Sequence, residues 1–113
     1  MYPAVDEDAP VTIWLNGGPG GSSTFANCVV SGPLRIDQPT ADTYDIFTRE
    51  DTWIKAATMI YIDQPVGTGF SFGTPLLTSL DEAADEFVAF MTNLWAAFPD
   101  LAAKDLYITG ESY

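Results

Sequence analysis

Histidine is absent from this sequence of 113 residues, and cysteine occurs once, as Cys28. A catalytic serine is commonly activated by an imidazole base, so these residues alone cannot supply that base. A lone cysteine excludes an internal disulfide and a zinc site built from several cysteines. No other set of metal-binding side chains stands out, and we expect neither a metal nor another cofactor.

Positive charge is also scarce, since 4 Lys and Arg stand against 16 Asp and Glu and leave a formal charge of -12. Nucleic acids and anionic membranes attract clustered basic side chains, which this chain lacks. Its apolar runs are too short to cross a bilayer. We therefore expect neither nucleic acid nor a membrane as a partner. The acidic residues 6–8 are the reverse of a signal peptide's basic region, so no targeting segment is visible.

Apolar residues are plentiful enough to build a core, at 47% of the chain with a mean hydropathy of +0.08. Three short runs rich in β-forming side chains predict buried strands at 11–15, 58–62 and 106–109. Each run leads into a segment that contains glycine. The stretch 22–53 has no clear period, and we predict loops with one helical turn and short strands there.

The clearest helix is predicted to begin after Ser79 and to end before Pro99. Ser79 and Glu82 have the spacing of a capping box, and the acidic residues 81–86 suit a helix start and a solvated face rather than a metal site. Apolar residues recur with a period of 3.6 at Leu80, Ala83, Ala84, Phe87, Val88, Met91, Leu94, Trp95 and Phe98. Those expected to face the core are Phe87, Met91, Leu94 and Trp95.

The last two strands and the helix between them predict a βαβ unit, whose strands run parallel with a right-handed crossover. The predicted fold class is α/β, with a layered parallel sheet and one crossover helix. No repeat, linker or low-complexity tract divides the chain, so residues 1–113 are predicted to lie in a single domain.

The third strand leads into a fragment of the nucleophile elbow G-x-S-x-G, with Gly110 at its first position and Ser112 as the candidate nucleophile. A tripeptide of this kind is common by chance, and an ordinary turn serine is the alternative. The β-rich run before it and the crossover helix before that run favour the elbow.

The first strand leads into the glycine-rich segment 16–21, which resembles the loop that offers a backbone N–H to the oxyanion in α/β-hydrolases. An ordinary strand-ending turn and a phosphate-binding loop are the alternatives. A phosphate loop needs a following lysine, and none occurs before Lys55, so that alternative is disfavoured.

Three segments, 14–23, 62–71 and 108–113, resemble the ordered signatures of the serine carboxypeptidases. They are WLNGGPGGSS, IDQPVGTGFS and ITGESY. The resemblance implies part of an α/β-hydrolase sheet with parallel strands, a glycine-rich oxyanion loop and one crossover helix. It covers only the N-terminal part of that family's catalytic domain, so residues 1–113 are expected to form a single incomplete domain that ends at the elbow.

The resemblance also implies a role for each matching residue. Ser112 is the nucleophile that forms an acyl-enzyme, and the backbone N–H groups of Gly18 and Tyr113 are the oxyanion donors. Asn16, the backbone of Gly17, and Glu111 bind the free C-terminal carboxylate of a peptide or protein substrate. A glutamate can donate a hydrogen bond to that carboxylate only when it is protonated, so such a site is expected to work best in acid.

Three positions depart from the pattern of that family. Gly21 stands where the family usually has a disulfide-forming cysteine, and Cys28 does not lie at the equivalent position. Val30 replaces a glutamate that shares a proton with the elbow glutamate in the family. The aspartate and histidine of the triad follow later in the family's sequences and do not occur among these residues.

Three functions therefore remain open for the chain. The leading one is a serine-type carboxypeptidase in the complete parent protein, with residues 1–113 inactive alone. An acyltransferase of the same fold and a non-catalytic remnant or binding module are the alternatives. The resemblance implies a secreted, vacuolar or lysosomal location, while the oligomeric state is left open.

Overall fold

A computed structural model describes all of residues 1–113 and has a mixed α/β architecture. The strands are β1 (Val11–Leu15), β2 (Leu34–Thr40), β3 (Thr43–Thr48), β4 (Thr58–Tyr61) and β5 (Leu106–Gly110). The helices are α1 (Ser23–Val29), α2 (Leu80–Ala97) and α3 (Pro99–Ala102), with a 3-10 turn at Trp53–Lys55. The three predicted strands and the long helix are confirmed to within one residue at each end.

Three of the strands form a parallel sheet in the order β4-β1-β5. Ile13 in the middle of β1 lies opposite Ile60 of β4 and Ile108 of β5. The prediction that the strands on either side of the long helix run parallel is confirmed, and β1 lies between them. All three strands therefore point their carboxyl ends at the same edge of the sheet.

Both faces of β1 are covered, which explains its nearly continuous run of buried apolar residues. Val11 and Ile13 face α2 and pack with Met91 in one apolar cluster. Trp14 faces the other way and packs with Ala26 of α1 and with residues of β4. The core is thus a layer on each side of one central strand.

The start of α2 has the predicted capping box. The side chain of Ser79 accepts a hydrogen bond from the Glu82 N–H at 3.2 Å, and Glu82 accepts one from the Ser79 N–H at 3.2 Å. The helix ends at Ala97, and Pro99 occupies the first position of α3, where its missing N–H costs nothing.

The apolar stripe of α2 is only partly covered. Its expected core-facing residues, Phe87, Met91, Leu94 and Trp95, are buried or half-buried and pack against the sheet. Leu80, Val88 and Phe98 of the same stripe are exposed. A sheet of three strands is too narrow to cover the whole stripe, so these three side chains remain on the surface.

The stretch 22–53 has more regular structure than predicted. It contains the two turns of α1 and an antiparallel hairpin in which Leu34 pairs with Thr48 and Ile36 with Ile46. The hairpin turn at 41–42 lacks the glycine or asparagine that usually reveals such a turn in a sequence. Apolar and polar residues alternate only at 34–37 in β2 and 44–46 in β3, which is too short to set the ends of the strands, and both faces of the hairpin are mostly exposed.

No helix in the structure combines the length and the apolar character that a membrane span requires.

The exposed apolar surface predicts that residues 1–113, expressed alone, associate with one another. β5 pairs only with β1, its Tyr107 and Ile108 are each 55% exposed, and Phe72 is 93% exposed. Sedimentation velocity should show mass rising with concentration, and a hydrophobic dye should bind. Phe72→Ser should reduce dye binding, with Thr74→Ser as the matched control. A monodisperse monomer that melts cooperatively and binds no dye would contradict the prediction.

Candidate active site

The carboxyl ends of β1, β4 and β5 lie together because the three strands are parallel neighbours. In open α/β sheets this edge is where ligands bind. A cavity of about 590 Å³ opens there, and all three segments that follow the strands contribute to its lining. The start of α2 and the residues before it form a further wall, with Leu77 and Leu80 as apolar members.

Ser112 has an unusual backbone conformation at the end of β5. Its φ is 62°, and it is the one residue other than glycine with a positive φ. A serine held in this left-handed region costs about 1–3 kcal/mol, and such strain is typical of the nucleophile on a strand-to-helix elbow. The preceding turn is tight, because a Cβ on Gly110 would lie 2.7 Å from the Leu15 carbonyl oxygen.

The glycine-rich loop that follows β1 packs directly against this elbow. A Cβ on Gly17 would lie 2.7 Å from the Ser112 Cβ and 3.0 Å from the Tyr113 nitrogen. Gly18 has a φ of 134°, which side chains rarely allow. A hydrogen bond of 2.8 Å from the Gly21 N–H to the Gly17 carbonyl closes the loop. Glycine at position 17 therefore permits the close approach of the two segments.

Asn16 is held at the start of this loop by its backbone and its side chain. The Asn16 N–H donates to the Ser23 Oγ at 3.0 Å, and the Trp14 indole N–H donates to the Asn16 Oδ1 at 3.4 Å. A Cβ on Gly21 would meet the Gly17 carbonyl and the Asn16 amide nitrogen. In this loop, position 21 has no room for the cysteine side chain that is usual at the corresponding position of the family the sequence resembles.

Most of the residues predicted from the sequence meet at the cavity. Asn16, Glu111, Ser112 and Tyr113 line it, whereas Gly17 and Gly18 lie in the adjoining loop and do not. Glu111 and Tyr113 are the ionisable side chains among the lining residues. No group of three or more His, Cys, Asp or Glu side chains is placed to hold a metal ion. Val30 follows α1, half exposed and outside the lining.

Asp63 is not among the site residues predicted from the sequence, yet it has the densest set of hydrogen bonds near the cavity. Its carboxylate accepts from the Ser22 hydroxyl at 2.7 Å, the Thr24 N–H at 3.1 Å, the Thr24 hydroxyl at 3.2 Å and the Phe70 N–H at 3.0 Å. Partial burial raises the pKa of Asp63, but the hydrogen bonds outweigh it and hold the pKa below its usual range. The signal in the sequence was an aspartate directly after a predicted buried strand, at the start of a segment that contains three glycines.

A family model described as serine carboxypeptidase matches residues 3–113. The chain is 43% identical over 110 residues to the probable serine carboxypeptidase CPVL of Mus musculus, a match that covers 95% of this chain and 22% of the mouse protein. It is 40% identical over 111 residues to the protein of the same name from Dictyostelium discoideum, covering 96% and 21%.

The chain is also 37% identical over 110 residues to the pheromone-processing carboxypeptidase KEX1 of Candida glabrata, covering 96% of this chain and 14% of the yeast protein. It therefore spans about a fifth or less of the length of these curated relatives.

Gly17→Ala is predicted to lower the free energy of unfolding by about 1–3 kcal/mol, since the new methyl group would collide with backbone and Cβ atoms of the elbow. Urea unfolding followed by tryptophan fluorescence measures the change. Gly73→Ala is the matched control, because a Cβ there meets only a methyl group of Val66, which can move. A Gly17→Ala protein as stable as the wild type would show that the loop and the elbow are not in contact.

Asp63→Asn is predicted to lower stability by about 1–3 kcal/mol at neutral pH, because the amide cannot accept all the hydrogen bonds of the carboxylate. The folded state lowers the pKa of Asp63 from 3.8, so the carboxylate's contribution is complete above that value. It is lost as pH falls through the lower pKa of the folded state. Urea unfolding of both proteins across pH 7 to 2.5 should show a difference in the free energy of unfolding that narrows only below about pH 4. A difference that does not change with pH would refute this assignment.

Proposed function

The chain belongs to the serine carboxypeptidase family, and from this membership and the geometry of the cavity we propose that it supplies the acylating half of a peptidase active site. The proposed reaction releases residues from the C-terminal ends of peptides and proteins. The observation that carries the proposal is the strained backbone of Ser112, which stands at the cavity with Gly17 packed behind it.

In this proposal the Ser112 hydroxyl attacks the carbonyl carbon of the last peptide bond. The serine proton passes to a base and then to the leaving amine, so the C-terminal amino acid departs and an acyl-enzyme remains. Water then attacks the acyl-enzyme, which frees the shortened peptide and restores the serine. The base is expected to be a histidine from outside residues 1–113, because these residues contain none.

The backbone N–H groups of Gly18 and Tyr113 are the proposed oxyanion donors. Neither N–H donates a hydrogen bond within the protein, so both are available to a substrate oxygen. Their segments follow β1 and β5, which are neighbours in the sheet. This proposal makes the glycine-rich segment the oxyanion loop, the sheet a part of an α/β-hydrolase sheet and α2 its crossover helix. Each donor is worth about 3–4 kcal/mol in the transition state.

Asn16, the Gly17 N–H and Glu111 are the proposed binding group for the substrate's C-terminal carboxylate. The Gly17 N–H and the Glu111 side chain have no hydrogen-bond partner within the protein, and Asn16 and Glu111 line the same cavity. A glutamate side chain can donate a hydrogen bond to the carboxylate only in its protonated form. A secreted, vacuolar or lysosomal location fits such a site and is part of the proposal.

The test uses the protein expressed from its complete gene and an N-blocked dipeptide with a free carboxylate. Ser112→Ala should lower kcat by about 10⁴-fold or more, because the proposed acyl-enzyme forms on this hydroxyl. A fluorophosphonate should label the wild type and not the variant. Cys28→Ala is the control for labelling at a thiol, since Cys28 lies outside the cavity.

The matching dipeptide amide separates the candidate reactions. A carboxypeptidase should cleave the free acid far better than the amide, because the amide cannot satisfy the carboxylate-binding group. Transfer of the acyl group to an added alcohol in preference to water would favour the acyltransferase. Equal labelling of wild type and Ser112→Ala, or no hydrolysis at all, would favour a non-catalytic remnant. Residues 1–113 alone should label slowly, because they hold no histidine.

A further inference from the structure

We propose that Asp63 is a positioning residue for the oxyanion loop, acting as a clasp that ties the loop after β1 to the loop after β4. The inference rests on the proposed function, since it concerns the placement of the Gly18 N–H for catalysis. Asp63 itself does not line the cavity that holds Ser112, so it acts through the residues it binds.

The carboxylate binds the exit of the oxyanion loop. Its Oδ1 accepts from the Ser22 hydroxyl at 2.7 Å and from the Thr24 N–H at 3.1 Å, while Oδ2 accepts from the Thr24 hydroxyl at 3.2 Å. Between these two residues, the Ser23 hydroxyl accepts from the Asn16 N–H at the entrance of the loop. Because Ser22, Ser23 and Thr24 are consecutive, these hydrogen bonds fix the entrance of the loop at Asn16 relative to its exit.

Asp63 also binds the second loop, which lies over the first. Its Oδ2 accepts from the Phe70 N–H at 3.0 Å, and its carbonyl accepts from the Ser71 hydroxyl at 2.6 Å. A Cβ on Gly20 would lie 3.6 Å from the buried hydroxyl of Thr68, so the two loops are in contact. A side chain at Gly69 would collide with the Asp63 carboxylate, which leaves glycine as the residue that fits there.

The oxyanion loop has few internal interactions that keep it ordered, so it needs hydrogen bonds to residues outside the loop. Gly17, Gly18, Gly20 and Gly21 lose more backbone entropy on ordering than other residues would. The single hydrogen bond within the loop runs from the Gly21 N–H to the Gly17 carbonyl. The partners of the Asp63 carboxylate are hydroxyl and backbone N–H groups that do not titrate near neutral pH. Its lowered pKa keeps the Asp63 carboxylate charged in mild acid.

The experiment compares wild type, Asp63→Asn and the control Asp37→Asn in the protein expressed from its complete gene. Asp37 is also a hydrogen-bonded carboxylate, paired with Arg35 on the hairpin, and no hairpin residue lines the cavity. Amide hydrogen exchange is resolved to single residues, and kcat and KM are measured with the N-blocked dipeptide. The decisive amides are those of Asn16 and Gly21, which do not bind Asp63.

In Asp63→Asn, the Asn16 and Gly21 amides should exchange at least about tenfold faster, and kcat should fall by about 10- to 100-fold with a much smaller change in KM. Asp37→Asn should change neither. If only the Thr24 and Phe70 amides exchange faster while kcat is unchanged, Asp63 has a purely local structural role and the proposal is wrong.

A second variant covers the case in which Asp63→Asn does not fold. Ser22→Ala removes one hydrogen bond of the clasp, and it should change the Asn16 and Gly21 exchange and kcat in the same direction by a smaller factor. If Ser22→Ala leaves both the exchange of these amides and kcat unchanged, the proposal is wrong. If the wild type hydrolyses no dipeptide, the proposed function fails, and the exchange of Asn16 and Gly21 alone then decides whether Asp63 positions the loop.

Discussion

The central position of β1 is the constraint on which the rest of the structure depends. Because β1 is hydrogen-bonded to β4 on one side and β5 on the other, all three carboxyl ends lie at one edge. The residues that follow these strands are far apart in the sequence and become neighbours only through this pairing. Both faces of β1 are also buried, so the same strand organises the two halves of the core.

The candidate site is then built mainly from backbone geometry. Ser112 is held in a left-handed conformation, Gly110 allows the chain to turn before it, and Gly17 allows the first loop to approach it. Free N–H groups of Gly17, Gly18 and Tyr113 are left over in this arrangement. Such groups stabilise charge only if they stay in place, which gives the hydrogen bonds of Asp63 their importance.

The parts of the fold that the sequence predicted well are those with strong local signals. The strands of the parallel sheet are short β-rich runs bounded by glycine or proline, and α2 has both a capping box and a 3.6-residue period. Short strands were predicted within 22–53, but their ends and their pairing as a hairpin were not, because the turn lacks glycine and the apolar-polar alternation spans only a few residues of each strand. The sequence also did not predict that Leu80 and Val88 are exposed, since a 3.6-residue period shows which residues share a face of the helix but not what covers that face.

The sequence by itself determined the family, the three segments that hold the candidate site residues and Ser112 as the candidate nucleophile, because these depend on residue type and local spacing. Only the tertiary structure decided that Asn16, Glu111 and Ser112 border one cavity, that Gly17 lies against the elbow and that Asp63 joins two loops. The physical reason is that strand pairing connects residues about 40 to 100 positions apart, and no local pattern encodes a distance between such residues.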